Sequence, residues 1–195
     1  MSVAVTRGPG RPRSEEIDAA ILQATIDELI ERGFLGASME SIAARAGVAK
    51  TTLYRRWPNT TELTIAAMRT FDADDAEPPA GTVREQLLWL IHRMRRKWGD
   101  PRFAAMMRRV AADGSAQPEM YRSARDRLVG PHSARMTAVL QRAIDEGLIR
   151  PDLDLEWARQ LLVSPVMAGA LTLKDKVSAK QIELTVDTVL RGLAP

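Results

Sequence analysis

Between Ala37 and Leu63 the chain reads ASMESIAARAGVAKTTLYRRWPNTTEL, and the spacing of that stretch leaves few folds open. Ser38 can cap a short helix in which Met39, Ile42, Ala43 and Ala46 recur at three- and four-residue intervals, so one side of it must be buried. Gly47 offers a backbone free to take positive φ, and the chain can turn sharply there before a second short helix from about Ala49 to Arg56. The spacing predicts a helix-turn-helix. Ala43 is small enough for the two helices to cross closely, and Val48 and Leu53 can plug the angle between them. The second helix is left with a free face carrying Lys50, Thr51, Tyr54 and Arg55. Short hydroxyls, a cation and a phenol suit the major groove, where base edges are read by hydrogen bonds and methyl contacts. A turn of this kind also occurs in helical bundles that bind no nucleic acid.

The particular residues are more specific than their pattern. Gly33-Phe34, Ala37-Ser38-Met39, Ile42-Ala43, Ala46-Gly47-Val48, Thr52-Leu53-Tyr54, Trp57-Pro58 and Glu62-Leu63 make residues Ile21 to Met68 resemble the DNA-binding domain of the TetR family of bacterial transcriptional regulators. The resemblance covers roughly the first third of the chain. It implies a homodimer that binds a near-palindromic operator in double-stranded DNA and is usually released by a small molecule. By resemblance and by chemistry, Lys50, Thr51 and Arg55 would meet base edges, Lys50 reading guanine most readily. Arg11, Arg13, Ser38, Thr52, Tyr54 and Arg56 would hold phosphates. Ala49 stands where the family often has a capping Ser, and Thr60 where it often has a Lys near phosphate.

Composition agrees with an all-α chain. Of 195 residues, 45% are hydrophobic, enough for a real core, and no stretch alternates for long with period two. The net charge is only +3, but Arg7, Arg11 and Arg13 precede the first acid and Lys50, Arg55 and Arg56 cluster on the second helix. A local positive face matters more to a polyanion than the total. Without Cys there can be no disulfide framework and no thiolate metal site. No apolar signal core opens the chain, and the run Leu161 to Leu173 is too short and interrupted to span a bilayer, so a cytoplasmic protein is expected.

In order, residues 1–13 read as a flexible basic arm, because Gly8, Pro9, Gly10 and Pro12 oppose helix. Residues 14–71 read as the DNA-binding domain, with a first helix from Ser14 to Gly33 closing a three-helix core and a linking fourth helix capped by Thr60 or Thr61. The acidic and Pro-rich residues 72–81 read as a linker, and 82–195 as a helical domain for effector binding and dimerisation. About nine helices are expected in all. The helix from Thr82 puts Val83, Leu87, Leu90, Ile91, Met94 and Trp98 on one side and Trp89 on the other, so Trp89 needs a partner of its own. Gly130-Pro131 should break a helix opened by Pro118.

Nine Met in a chain poor in aromatics can line an adaptable cavity, although core filling explains them equally well. His92, Met106, Met136 and Met167 are the candidates for an effector pocket. The last two helices carry more apolar surface than one domain needs. Leu162, Val166, Gly169, Leu173, Val186, Val189, Leu190 and Leu193 are the candidates for a dimer interface, which the resemblance also implies. An enzyme is disfavoured: the chain has two His, on different expected helices, no thiol and no Gly-rich phosphate loop after a strand. Neither a cofactor nor a metal is expected. The competing reading is a helical ligand carrier or interaction protein whose helix-turn-helix is vestigial.

Overall fold

The structure, a computed structural model, describes residues 11–71, 76–114, 118–172 and 177–195, with the side chains of 11–13 and 118–131 left aside. Among them the chain is entirely helical: α1 Arg11–Gly36, α2 Met39–Ala46, α3 Lys50–Tyr54, α4 Thr60–Arg69, α5 Val83–Trp98, α6 Pro101–Gly114, α7 Pro118–Asp145, α8 Leu155–Leu171 and α9 Ala179–Gly192. The ends of these helices follow from local chemistry. Ser38, Asn59, Thr82, Asp154 and Ser178 each accept a backbone N–H from the first turn of the helix they precede. The cap of α4 is therefore Asn59, which accepts from Glu62 N at 2.9 Å, and not Thr60 or Thr61.

Two other boundaries differ from expectation. Arg11-Pro12-Arg13, expected in the arm, form the first turn of α1, where amides have no intrahelical acceptor and a proline removes nothing. The arm's remaining residues, 1–10, lie outside the described residues. Gly130-Pro131 does not end a helix, since α7 continues through it to Asp145. A proline deletes a single i→i−4 donor, which a helix of 28 residues can sustain.

Three apolar clusters hold the molecule together. Ile21 and Ala24 of α1, Met39, Ile42 and Ala43 of α2, Leu53 of α3 and Leu63 of α4 form the core of the helix-turn-helix head. A second cluster joins head to C-terminal domain: Ile26 and Leu29 of α1 and Ala67 and Met68 of α4 pack on Phe103, Met106 and Val110 of α6. The third fills the C-terminal domain between α5, α7, α8 and α9, around Leu87, Ile91, Leu140, Leu162, Ile182 and Val186. Trp89 finds its partners here, half-buried against this cluster with the Arg93 guanidinium 5.4 Å from its ring centroid.

The clusters redistribute two sets of expected residues. Met106 lies in the junction between head and C-terminal domain, whereas Met136 lies in the C-terminal core with Met167 packed against it. His92 is half-buried on α5. The two buried methionines, Met106 and Met136, thus belong to different apolar clusters. Of the expected interface residues, Leu162, Val166, Val186 and Leu193 are buried inside the protomer itself, and Val189 and Leu190 pack against the same core. Gly169 is half-buried, and Leu173 lies outside the described residues. The large apolar side chains left exposed on these helices are Trp157 and Leu161 of α8 and Leu184 of α9.

Candidate nucleic-acid interface

The α2–α3 unit is built from its turn outward. Ser38, extended at φ −132° and ψ 157°, accepts from Ser41 N at 3.0 Å while Ser41 Oγ accepts from Ser38 N at 3.1 Å, a reciprocal cap that fixes the start of α2. Gly47 adopts φ 67° and ψ 31°, and Val48 N returns to Ala43 O at 3.1 Å, closing α2 and redirecting the chain. Ala49 begins α3 with no side-chain cap, as its methyl dictates. What holds α3 instead is Leu53, fully buried in the head core. Burial of that one side chain leaves Lys50, Thr51, Tyr54 and Arg55 exposed, Tyr54 at 50%, with Thr52 half-buried at the edge.

Two arginines tie this unit to α1. Arg45 of α2 donates to the buried Glu28 Oε1 at 2.8 Å and to Glu31 Oε1 at 2.9 Å. Hydrogen bonding to Glu31 and then Glu28 pushes the Arg45 guanidinium further toward its charged form, and the Arg45 bond holds the Glu31 carboxyl below its ordinary value. Arg56, expected to hold a phosphate, folds back onto α1: it donates to Ser14 Oγ at 3.0 Å and pairs with Asp18. With its side chain only 17% exposed, Arg56 positions α3 and presents little charge outward. Ser38, expected at a phosphate, likewise spends its hydroxyl on the α2 cap.

The free face carries one further contact. Lys50 Nζ donates to Glu40 Oε1, in the first turn of α2, at 2.7 Å, with both side chains more than half exposed. That hydrogen bond keeps the Glu40 carboxyl below its usual range. No reading of the sequence placed Glu40 here, although α2 and α3 crossing at Ala43 brings their first turns within reach.

Behind the head, α6 clamps the end of α1. Gly33 takes φ 74° and ψ −177°, breaking the regular helix three residues before its last turn finishes at Gly36. Asp113 Oδ2 accepts from Leu35 N at 3.3 Å and Arg109 donates to Arg32 O at 3.4 Å, so two α6 side chains satisfy backbone groups freed by the break. A Cβ on Gly33 would lie 2.1 Å from Asp113 Oδ2, so any larger residue there must displace the Asp113 carboxylate. Nearby, Arg102 of α6 pairs with Asp27 of α1 at 2.5 Å, and Phe103 stacks edge-on against Phe71 and Trp98 with centroids 5.2 and 5.3 Å away. Further along, Arg108 donates to Ala170 O, in the last turn of α8, at 2.9 Å. The α6 helix therefore touches both the head and the end of α8.

No helix among the described residues is long and apolar enough to cross a membrane. Among them there is also no group of three or more His, Asp or Glu that could hold a metal ion.

Comparison with known proteins agrees with this geometry over nearly the whole chain. The family described as "Bacterial regulatory proteins, tetR family" matches residues 21–67, and "Tetracyclin repressor-like, C-terminal domain" matches residues 77–189. The chain is 31% identical over 183 residues to the "DNA-binding transcriptional repressor TetR" of Mycobacteroides abscessus, covering 91% of this chain and 94% of that protein. It is 25% identical over 185 residues to the HTH-type transcriptional regulator YdeS of Bacillus subtilis, covering 94% and 93%. FadR from Bacillus subtilis, solved in complex with stearoyl-CoA, has the same fold at a TM-score of 0.65 and 20% identity, covering 90% of this chain and 97% of that one. With its exposed α3 face, its clamped head and these relatives, the chain belongs to the TetR family of bacterial helix-turn-helix transcriptional regulators.

Proposed function

We propose that the protein is a homodimeric repressor that binds a near-palindromic operator through α3 and is released from it by a small molecule bound in the C-terminal domain. The observation that carries the reading is the α3 face itself. Lys50, Thr51, Tyr54 and Arg55 are exposed together on a helix whose position is set by the burial of Leu53 and by the Arg45 and Arg56 ties to α1. Such a face has no structural task, and its chemistry matches base edges and phosphates. Lys50, Thr51 and Arg55 are the base-reading candidates, and Thr52, Tyr54, Arg11 and Arg13 are the phosphate candidates.

Dimerisation is assigned to the outer side of α8 and α9. Trp157 is 57% exposed, Leu161 38% and Leu184 60%, and these are the residues a second copy would cover. The likeness to a repressor from Mycobacteroides abscessus supports repression, and the FadR neighbour, solved in complex with stearoyl-CoA, supports release by a small molecule. The decisive experiment is a titration of the purified protein against the DNA flanking its own gene, beside random duplexes of equal length. Tight, salt-sensitive binding to one flanking segment by a dimer is expected. Equal affinity for all duplexes would overturn the operator reading.

A further inference from the structure

The contact between Glu40 and Lys50 puts an anion on the face that is to meet a polyanion, and that needs a reason. Resting on the operator-binding reading above, we propose that Glu40 is a specificity-determining residue that holds the Lys50 ammonium for a base acceptor and withholds it from the phosphate backbone. Both ends of the pair stand on fixed backbone. Glu40 follows the Ser38–Ser41 reciprocal cap at the start of α2, and Lys50 is the first residue of the helix anchored by Leu53. The 2.7 Å contact therefore reflects how the two helices cross and not a chance meeting of two mobile chains.

An ammonium has three donors and no directional preference among them. While one N–H stays on Glu40, the others can reach the O6 and N7 acceptors of a guanine, which are neutral, and nothing charged is left unpaired. Turning those donors to a phosphate instead brings a second anion up against the Glu40 carboxylate, a repulsion that a neutral guanine edge does not incur. The pair thus penalises non-specific engagement more than specific engagement, which is how a repulsive element creates discrimination. Because both side chains are more than half exposed, the contact is weak enough to be reorganised on the DNA surface.

The test compares wild type, Glu40→Gln, Lys50→Ala and the double variant on two probes. One is a duplex that the wild-type protein selects from a random-sequence library; the other is the unselected library at the same length. Fluorescence anisotropy at several salt concentrations reads both affinities. Glu40→Gln is expected to tighten binding to the unselected library by roughly three- to tenfold and to steepen its salt dependence by about one ion. Affinity for the selected duplex should change by less than about twofold, so that discrimination narrows. In the Lys50→Ala background the same change should strengthen both probes equally, leaving the ratio unaltered.

An equal gain on both probes with Lys50 present would make Glu40 a mere repelling charge and overturn the proposal, as would the same change in ratio with Lys50 absent. A wild-type protein that selects no duplex at all would overturn the operator reading and this proposal with it. One that selects a duplex and keeps its discrimination in Glu40→Gln would overturn the proposal alone.

Discussion

Gly33 and Gly47 both take positive φ, yet they ask different things of their surroundings. A Cβ at Gly47 would meet nothing within 4 Å, so Gly47→Ala incurs only the left-handed backbone cost, about 1–2 kcal/mol. At Gly33 a ψ of −177° lies in a region that is essentially glycine-only, and the added carbon would also collide with Asp113 Oδ2 at 2.1 Å, so that the Asp113 side chain must leave the end of α1. Urea denaturation should therefore show a larger loss for Gly33→Ala than for Gly47→Ala, by at least about 1 kcal/mol. Equal losses would mean that the clamp contributes nothing. On the outward face, Lys50→Ala should relax discrimination at one base position by about 1–3 kcal/mol in competition titrations with point-mutated operators. Arg56→Ala should act differently, lowering thermal stability by releasing α3 from Ser14 and Asp18, because its guanidinium is turned inward. Arg56 illustrates what a sequence conceals: it sits in a basic cluster beside Arg55, and only the fold turns one guanidinium inward onto α1 while leaving the other exposed.

At the scale of elements, what was legible was what is local. Ser38, Gly47 and the buried spacing of Met39, Ile42 and Ala43 announce α2 and its turn, because caps and periodicity are decided within a few residues. The cap of α4 went to Asn59 over its two threonine neighbours, a choice set by where the chain leaves Pro58. Gly130-Pro131 reads as a stop, but α7 continues through it, the missing donor being one of many in a helix of 28 residues. Which stripe of α8 faces inward was not legible either. The helix is apolar on several sides, and Leu162 and Val166 turn out to serve its own core while Trp157 and Leu161 face out.

Between elements, the Arg84–Asp187 pair joins α5 to α9, its Nε–Oδ1 distance being 2.6 Å, and Glu85 closes the cap of α5. The Arg84 hydrogen bond lowers Asp187, and the Thr82 backbone hydrogen bond lowers Glu85. A carboxyl whose folded pKa is depressed contributes stability that is complete above its unfolded value, 3.8 for Asp187 and 4.5 for Glu85, and is lost as pH falls through the folded value. The urea midpoint should thus show little dependence on these groups near neutrality and fall below about pH 4.5. Asp187→Asn should flatten part of that fall. An unchanged acid limb would show that the α5–α9 pair is not formed in solution.

For the whole molecule, the residues of the proposed assembly face on α8 and α9 are not those that fill the protomer's own core. Leu162→Ala removes a side chain that is 1% exposed and should cost about 2–5 kcal/mol of stability without a specific effect on association. Leu184→Glu, at a position 60% exposed, should leave the monomer folded and abolish the dimer in sedimentation velocity. Operator affinity should then fall by two or more orders of magnitude, because two heads no longer engage one duplex together. A Leu184→Glu protein that still sediments as a dimer would place the interface elsewhere.

The grip of Arg108 on the last turn of α8 gives this division a mechanical side. Asp113 stands five residues further along the same helix, about 7.5 Å at 1.5 Å per residue, and holds the break at Gly33. One helix thus grips both the end of α8, beside the proposed assembly face, and the break behind the reading head, a link between the two that is separate from the 72–81 connection. Swapping the DNA-reading half of this protein onto another regulator's sensor half would therefore succeed only if α6 travels with the head.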